Sequence, residues 1–464
     1  MRLLPRLIPV LSGVAGALAL VLWLRATPAG DFAPRVPGTD RPAGVVEAVA
    51  RKVEGTLTKG DGEPAKLPGA WARFRGPRLD NISREDTPLA RSWPKDGPPV
   101  LWRLNVGEGY AGAAIRNGRV YLLDYDQEKH ADALRCLSLA DGREIWRFAY
   151  PVKVKRNHGM SRTVPTVTHK HVVALGPKCH VTCLDAETGE PKWPILDLVK
   201  DYGATVPQWY AGQCPLVDGD KLILGVGGPE ALLMAVEIET GKVLWRTPNP
   251  DHWKMTHSSV VPMDFADRRT YVYCASGGVA GVDAEDGKLL WKTPDWRISI
   301  AMVPSPVVFE DGRIFLTGGY NAGSAMFQLK EKNDEFRVET RYRLKPKVFD
   351  SPQHTPILYD GNLYAVRSDG QLACADLGGK VLWESGSANL FGLGPYLVAD
   401  GLIFVMNDKG VLTMAEATPV GYKPLGKATI FDHGHDAWGP MAIAGGRLIV
   451  RDFTRIACLD VKKP

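Results

Sequence analysis

Apolar and polar residues alternate over short stretches along most of the chain, and turn-forming pairs separate one stretch from the next. The clearest case spans residues 282–291, where an alternating phrase leads into Asp286 and Gly287 and an apolar phrase leads out to Trp291. Glycine adopts positive φ without a Cβ clash, so an Asp-Gly pair favours a tight turn between antiparallel strands. The pattern therefore predicts a β-hairpin that ends in tryptophan.

This hairpin phrase recurs at a nearly fixed spacing. Steps of 47, 52 and 46 residues lead from Trp146 through Trp193 and Trp245 to Trp291, and Trp383 follows 92 residues later. A period of roughly 20 to 50 residues is typical of repeat architectures such as solenoids and propellers. The chain is therefore predicted to be a repeat protein.

Each repeat carries three turn signals and hence four short strands, which describes one blade of a β-propeller. A proline opens the first strand of most repeats, a position where its missing N–H is tolerated. Seven repeats begin this way, and a further one begins near Ala111; the prolines are Pro165, Pro215, Pro262, Pro306, Pro356, Pro395 and Pro440. The sequence predicts an all-β, eight-bladed propeller with four-stranded blades.

The two ends of the repeat region complement each other. The last repeat stops at Pro464 without a tryptophan, whereas residues 99–104 contain Trp102 ahead of the first full repeat. Pairing this strand with the C-terminal strands would close the last blade and remove two free sheet edges. We expect Trp102, like the five repeat tryptophans, to fill a wedge between blades and donate its N–H. The fifth and seventh repeats lack this residue, which predicts looser packing at their seams.

The N-terminus has a different character. Residues 7–24 are almost entirely apolar, with Arg2 and Arg6 before them, so residues 1–25 are predicted to be an uncleaved signal anchor that spans the membrane. A cleaved signal peptide is the alternative. With the anchor in the inner membrane, the propeller would lie on its periplasmic or extracytoplasmic side. Residues 26–69 are rich in Pro and Gly and are predicted to be a flexible tether, with the propeller occupying residues 70–464.

Charge and cysteine content exclude some functions. The formal charge of +5 is spread along the chain without a basic stripe, so no nucleic-acid partner is predicted. Four of the seven cysteines occupy the same position on the third strand of different repeats, where Ala235 and Gly281 stand in others. A buried thiol packs there as a small apolar group. The four are Cys136, Cys183, Cys374 and Cys458.

The repeated phrase, with its turn glycine and closing tryptophan, resembles the repeats of pyrroloquinoline-quinone (PQQ) propellers. That group includes quinoprotein alcohol dehydrogenases and outer-membrane-assembly lipoproteins of the BamB type, and the leader around Trp71 is similar to that of exported, anchored members. The resemblance implies either a scaffold or a dehydrogenase that holds PQQ and Ca²⁺ in the channel mouth. One fold hosts both, so the choice depends on the site.

The residues favour the scaffold. The dehydrogenases usually carry adjacent cysteines against the quinone, whereas no two cysteines of this chain are adjacent, and no Cys-x-x-Cys-His haem motif is present. No catalytic residue or metal ligand can be assigned by matching. His433 and His435 have a chelating spacing, with Asp436 beside them, but this pattern alone does not define a metal site. We therefore predict a non-catalytic binding or scaffolding module of the cell envelope, with a PQQ- and Ca²⁺-dependent alcohol or sugar dehydrogenase as the alternative.

Polar residues cluster just before the prolines that open the repeats. The loops entering the innermost strands of a propeller gather around one mouth of the central channel, so these residues are expected to form a ring there. The ring binds a small-molecule ligand or an envelope protein, or it simply solvates the rim. Its predicted members are His158, Arg162, Tyr210, Gln213, His257, Ser258, Gln353, His354, His435 and Trp438. Two aromatic insertions, residues 194–211 and 248–256, join blades on the same side.

Overall fold

A computed structural model describes residues 4–26 and 53–464 of the chain. Helix α1 (Leu4–Ala26) belongs to one compact unit and the body that begins at residue 52 to another. No helix in the described part of the chain is long and apolar enough to cross a membrane. The anchor therefore stays a prediction, and residues 27–52 of the predicted tether lie outside the described residues.

Four strands precede the first full blade, and all four join sheets whose other strands come later in the chain. They are β1 (Thr56–Lys59), β2 (Ala70–Trp71), β3 (Ile82–Ser83) and β4 (Val100–Asn105). Strand β1 pairs with the outer strand of blade 1, with Leu57 opposite Phe148. The described part of the predicted tether, residues 53–69, therefore already belongs to the folded body.

Thirty-one further strands follow, and β4 completes the last blade. Blades 1 and 2 comprise β5 (Ala113–Arg116), β6 (Arg119–Asp126), β7 (Ala131–Ser138), β8 (Glu144–Pro151), β9 (Thr166–Val167), β10 (His171–Leu175), β11 (His180–Asp185) and β12 (Leu196–Asp197). Blades 3 and 4 comprise β13 (Leu216–Asp218), β14 (Lys221–Gly228), β15 (Ala231–Glu237), β16 (Val243–Arg246), β17 (Val261–Phe265), β18 (Arg268–Ala275), β19 (Gly278–Asp283) and β20 (Leu289–Thr293). A short helix, α2 (Leu198–Tyr202), joins blades 2 and 3.

The second half repeats the plan. Blades 5 and 6 comprise β21 (Val307–Val308), β22 (Arg313–Gly318), β23 (Gly323–Lys332), β24 (Glu335–Leu344), β25 (Ile357–Tyr359), β26 (Asn362–Val366), β27 (Leu372–Asp376) and β28 (Val381–Glu384). Blades 7 and 8 comprise β29 (Tyr396–Ala399), β30 (Leu402–Met406), β31 (Val411–Glu416), β32 (Pro424–Thr429), β33 (Ala442–Ala444), β34 (Arg447–Arg451) and β35 (Arg455–Asp460), with β4 as the outer strand of blade 8. The eight-bladed propeller and its closure are confirmed, with Trp102 opposite Cys458.

The repeat tryptophans occupy the seams between blades. Each of the six is buried. The indole of Trp146 lies so close to the turn of blade 2 that a Cβ on Gly189 would be 2.6 Å from it, and Trp193 covers Gly241 of blade 3 in the same way. These turn glycines, at φ +75, therefore serve two needs: the left-handed backbone and room for the neighbouring ring.

Hydrogen bonding by these indoles is less uniform than the sequence suggested. Trp102, Trp193 and Trp383 donate their N–H groups to carbonyls of the next blade at 3.1, 3.0 and 2.8 Å. The buried Nε1 atoms of the other three have no hydrogen-bond partner among the described residues. The shared role of the six side chains is therefore packing.

The two seams that lack a repeat tryptophan are filled by other aromatic rings. In blade 5, Tyr342 takes the place of tryptophan, and its hydroxyl donates to the Leu377 carbonyl of blade 6 at 3.0 Å. In blade 7 the position that corresponds to the repeat tryptophan is Gly426, and Trp93 from the N-terminal segment packs against it. A Cβ added to Gly426 would lie 3.0 Å from the Trp93 ring. The structure therefore provides aromatic packing at both seams where looser packing was predicted.

Candidate functional site

The central channel contains part of the N-terminal segment. Strand β2 pairs with β5, the innermost strand of blade 1, and β3 pairs in parallel with β29, the innermost strand of blade 7. Both pairings involve the C-terminal ends of the inner strands. The loops that contain the opening prolines lie at the other, N-terminal ends. We call residues 70–83 the channel segment and the opposite loops the mouth loops.

The channel segment is tied to other blades mainly through backbone carbonyls. The Val167 N–H of blade 2 donates to the Ala72 carbonyl at 2.7 Å. Arg73 donates to the Val217 carbonyl of blade 3 at 2.9 Å, and Arg75 donates to the Pro356 carbonyl of blade 6 at 3.3 Å. The segment thus links the inner strands of several blades.

A cavity of about 260 Å³ lies at the other end, among the mouth loops. Phe74 of the channel segment contributes to its lining, and the rest comes from loops of distant repeats. The lining residues are Phe74, Tyr110, His158, Arg162, Trp209, Gly212, Cys214, His257, Ala301, Val303, Tyr320, Gln353, His354, Leu393, Trp438 and Pro440. The topology therefore brings residues separated by more than half the chain into one site.

Six of the ten predicted ring residues line this cavity: His158, Arg162, His257, Gln353, His354 and Trp438. The other four do not. Tyr210 is buried and its hydroxyl donates to the Lys155 carbonyl, while Gln213 is fully buried and accepts from the Gly225 N–H at 2.7 Å. Ser258 is fully buried, and His435 is exposed beside Phe453, with ring centroids 5.1 Å apart.

Several aromatic residues that line the cavity were not among the predicted ring residues. Trp209 lies in the insertion at residues 194–211, which was recognised as aromatic but was not placed at the cavity. Tyr110 lies just before the start of blade 1, and Tyr320 occupies a hairpin tip in the left-handed region at φ +55. Trp253, in the second insertion, instead covers the blade 4 hairpin at Gly277, as an edge-covering residue does.

Arg162 dominates the electrostatics of the cavity. Its guanidinium carbon lies 4.9 Å from the centre of the Tyr110 ring, a cation–π distance. Its Nε and Nη2 atoms are buried, and neither has a hydrogen-bond partner in the described part of the chain. Burial lowers the pKa of Arg162 to about 10, so the group remains charged at neutral pH.

The neighbouring histidines behave differently. Burial, and to a smaller extent the charge of Arg162, lowers the pKa of His257 to about 4. Burial likewise lowers the pKa of His354 to about 4. Both imidazoles are therefore neutral at pH 7, so they offer hydrogen-bonding nitrogens without adding charge.

Carboxylates stand behind the aromatic walls. The rings of Tyr110 and Trp438 stack with centroids 5.1 Å apart. The Tyr110 hydroxyl donates to Asp436 at 3.3 Å, and Trp438 Nε1 donates to Asp408 at 2.7 Å. These acids orient the walls from outside, and no Asp or Glu is among the described residues that line the cavity.

Together the fold and the site define an eight-bladed propeller of the PQQ-repeat class with a ligand-sized cavity at one mouth. The sequence profile of the family described as outer membrane protein assembly factor BamB matches residues 94–207 and 130–383. The chain belongs to this family, and the resemblance noted in its repeats is confirmed. No curated protein matches the chain significantly.

Solved structures agree with the fold. BamB from Moraxella catarrhalis superposes with a TM-score of 0.52 at 13% identity, covering 78% of this chain and 99% of that one. The computationally designed Ika8 protein superposes with the same TM-score at 10% identity, covering 78% and 100%. A europium-containing methanol dehydrogenase reaches 0.46 at 12% identity, covering 85% and 90%. At these identities the likeness concerns the fold alone.

Proposed function

We propose that this protein is a non-catalytic binding module of the cell envelope that holds a partner or ligand at the mouth of its propeller. Membership in a family named for an outer membrane assembly factor supports an envelope role and an envelope protein as partner. We also propose that residues 1–25 anchor the chain in the inner membrane, with the propeller on the extracytoplasmic side.

The observation that carries this proposal is the mouth cavity with its exposed apolar surroundings. Tyr320, which lines the cavity, is 51% exposed, and Ile300, next to the lining residue Ala301, is 53% exposed. Exposed apolar side chains grouped around a concave site are typical of binding surfaces. The cavity is lined mainly by the mouth loops, so we take the mouth as the face at which a ligand reaches it.

The cavity does not fit the dehydrogenase alternative. Ca²⁺ prefers carboxylate and amide oxygens, yet the described lining contains one amide, Gln353, and no carboxylate. Arg162 would also repel a divalent cation placed among these side chains. PQQ carries three carboxylates, whereas Arg162 is the one Lys or Arg among the described lining residues. The described lining residues also include no acidic side chain that could accept the substrate proton.

Two measurements on the full-length protein test the proposal. A photo-crosslinking residue at Tyr320 is expected to capture an envelope protein, whereas the same residue at Val420, an exposed apolar position of the blade 7 outer turn, is not. Equal capture at both positions would contradict a mouth-specific interaction. Titration with PQQ, with and without Ca²⁺, is expected to give no dye reduction with alcohols or sugars. Saturable, Ca²⁺-dependent reduction would instead establish an enzyme.

A further inference from the structure

We propose that the mouth cavity binds a monocarboxylate, with its anionic oxygens on Arg162 and its apolar or aromatic part against Trp209 and Trp438. This inference rests on the proposed function, since it specifies what the binding module accepts. The ligand belongs to one chemical class with two sources: a free small carboxylic acid, or the terminal carboxylate of a partner polypeptide.

The first argument is the unmet hydrogen-bonding capacity of Arg162. A guanidinium has five N–H donors in a rigid fork. Arg162 makes no hydrogen bond to any described residue, although two of its nitrogens are removed from solvent. Burying a charged group without a hydrogen-bonding partner costs roughly several kcal/mol, so folded proteins normally avoid such unpaired charges. An anion in the cavity would give the charge of Arg162 a partner.

The groups packed around Arg162 cannot take that role. The Tyr110 ring offers its face, and its hydroxyl is directed to Asp436. The Tyr210 hydroxyl is engaged by the Lys155 carbonyl. Asp408, the other acid near the walls, accepts from Trp438 and from the Leu393 backbone N–H at 2.8 Å. The charge of Arg162 is therefore left for a ligand.

The charge balance favours a monoanion. Arg162 supplies one positive charge, and the cavity histidines His257 and His354 are neutral at pH 7. A carboxylate matches the guanidinium fork with two parallel hydrogen bonds and one negative charge. A phosphate dianion would carry an uncompensated charge into the same site.

The remaining lining explains the apolar part of the ligand. Trp209, Trp438 and Phe74 provide aromatic surfaces, and Val303 and Leu393 add aliphatic ones. The volume of about 260 Å³ is below the range of roughly 300–1,000 Å³ typical of pockets for drug-sized ligands. A single ring or a branched aliphatic chain beside the carboxylate suits this space.

The experiment measures binding of matched acid and amide probes to the full-length protein by calorimetry. Phenylacetate is expected to bind at least about tenfold more tightly than phenylacetamide, because the amide cannot form a charged pair with Arg162. Acetyl-Ala-Ala-Leu with a free carboxylate, compared with its C-terminal amide, reports on the polypeptide source. Preference for the peptide acid over phenylacetate assigns the terminus of a partner, and the reverse order assigns a free acid.

Variants separate the role of Arg162 from a structural one. Arg162→Met is expected to abolish the preference for acids without lowering the thermal midpoint, since Arg162 has no protein hydrogen bonds to lose. Arg162→Lys should keep the charge but lose most of the preference, because lysine lacks the fork. Arg156→Met removes another arginine near the mouth, one whose charge is paired with Glu108 at 2.7 Å, and should leave binding unchanged.

The inference is overturned if amides bind as well as acids, if no acid binds, or if Arg162→Met retains the preference. Loss of folding in Arg162→Met would also contradict it, because that result assigns the side chain a structural role. Failure here is distinguishable from failure of the proposed function. If crosslinking at Tyr320 persists while the acid preference is absent, the binding module stands and only its ligand class is wrong.

Discussion

Trp93 offers a sharp test of how the propeller closes its seams. It lies outside the repeats, in the segment between β3 and β4, yet its ring packs against Gly426. In the neighbouring blades 6 and 8 the corresponding position is a tryptophan. It also stacks on Phe404 of blade 7, with ring centroids 6.3 Å apart and planes inclined by 29°. Truncation to alanine in Trp93→Ala would leave the blade 7 seam without an aromatic filler.

The expected cost follows from burial. Truncating a fully buried tryptophan to alanine costs about 3–5 kcal/mol, because apolar transfer energy is lost and a cavity remains. Trp146 is fully buried and should fall in that range. Trp93 is only partly buried, so we expect about 2–3 kcal/mol. Its buried Nε1 has no hydrogen-bond partner among the described residues, so Trp93→Phe should cost less than about 1.5 kcal/mol.

The assay combines thermal unfolding with amide hydrogen exchange. The thermal midpoint should decrease most in Trp146→Ala and less in Trp93→Ala. The midpoint of Trp93→Phe should stay close to that of the parent protein. Trp209→Ala, which removes a partly buried indole of the mouth, serves as the matched control and should shift the midpoint least. Exchange should accelerate selectively in β32 of Trp93→Ala. Equal midpoints for Trp93→Ala and Trp209→Ala, with β32 unchanged, would refute the seam role of Trp93.

Two further predictions concern turns and pH. Gly241→Ala should lower the free energy of unfolding by roughly 1–3 kcal/mol, because the residue has φ +75 and a Cβ would lie 2.9 Å from Trp193. Gly219→Ala is the control, because Gly219 has φ +63 but open space around the new Cβ, so this variant suffers backbone strain without a clash. If both variants lose equal stability, the clash with Trp193 makes no contribution. Burial raises the pKa of Asp132 to about 7, so its folded form holds the proton more tightly than the unfolded chain. The stability from this group is full below about pH 4 and is lost as the pH rises through 7, and Asp132→Asn should flatten that slope in denaturant titrations.

The blade plan was readable from sequence because it depends on local signals that repeat. The glycine turn before each repeat tryptophan and the proline that opens seven of the eight blades mark the same structural position every time. Closure by β4 was readable for the same reason, since Cys458 lacked the tryptophan that its repeat position demands. Six residues of the cavity followed from their place just before the prolines.

The channel segment could not be read in this way. Its strand β3 pairs with β29, more than 300 residues later, with Ile82 opposite Val398. The segment is also held by backbone carbonyls such as that of Pro356, which leave no mark on the sequence. The role of Trp93 was hidden because one strand supplies the glycine and another segment the ring. Tyr210 and Gln213 lie off the cavity because the Tyr210 hydroxyl donates to the Lys155 carbonyl and Gln213 accepts from the Gly225 N–H, contacts that the sequence does not reveal.

The path of the N-terminal segment has a consequence for the order of events during synthesis. Residues made early, from β1 to β4, rest on blades 1, 7 and 8, and two of those blades are the last to leave the ribosome. Such distant pairings delay folding and leave apolar surface exposed in the meantime. The ring is therefore sealed only after the final strand emerges, so loss of a few residues from β35 should be as damaging as loss of β4.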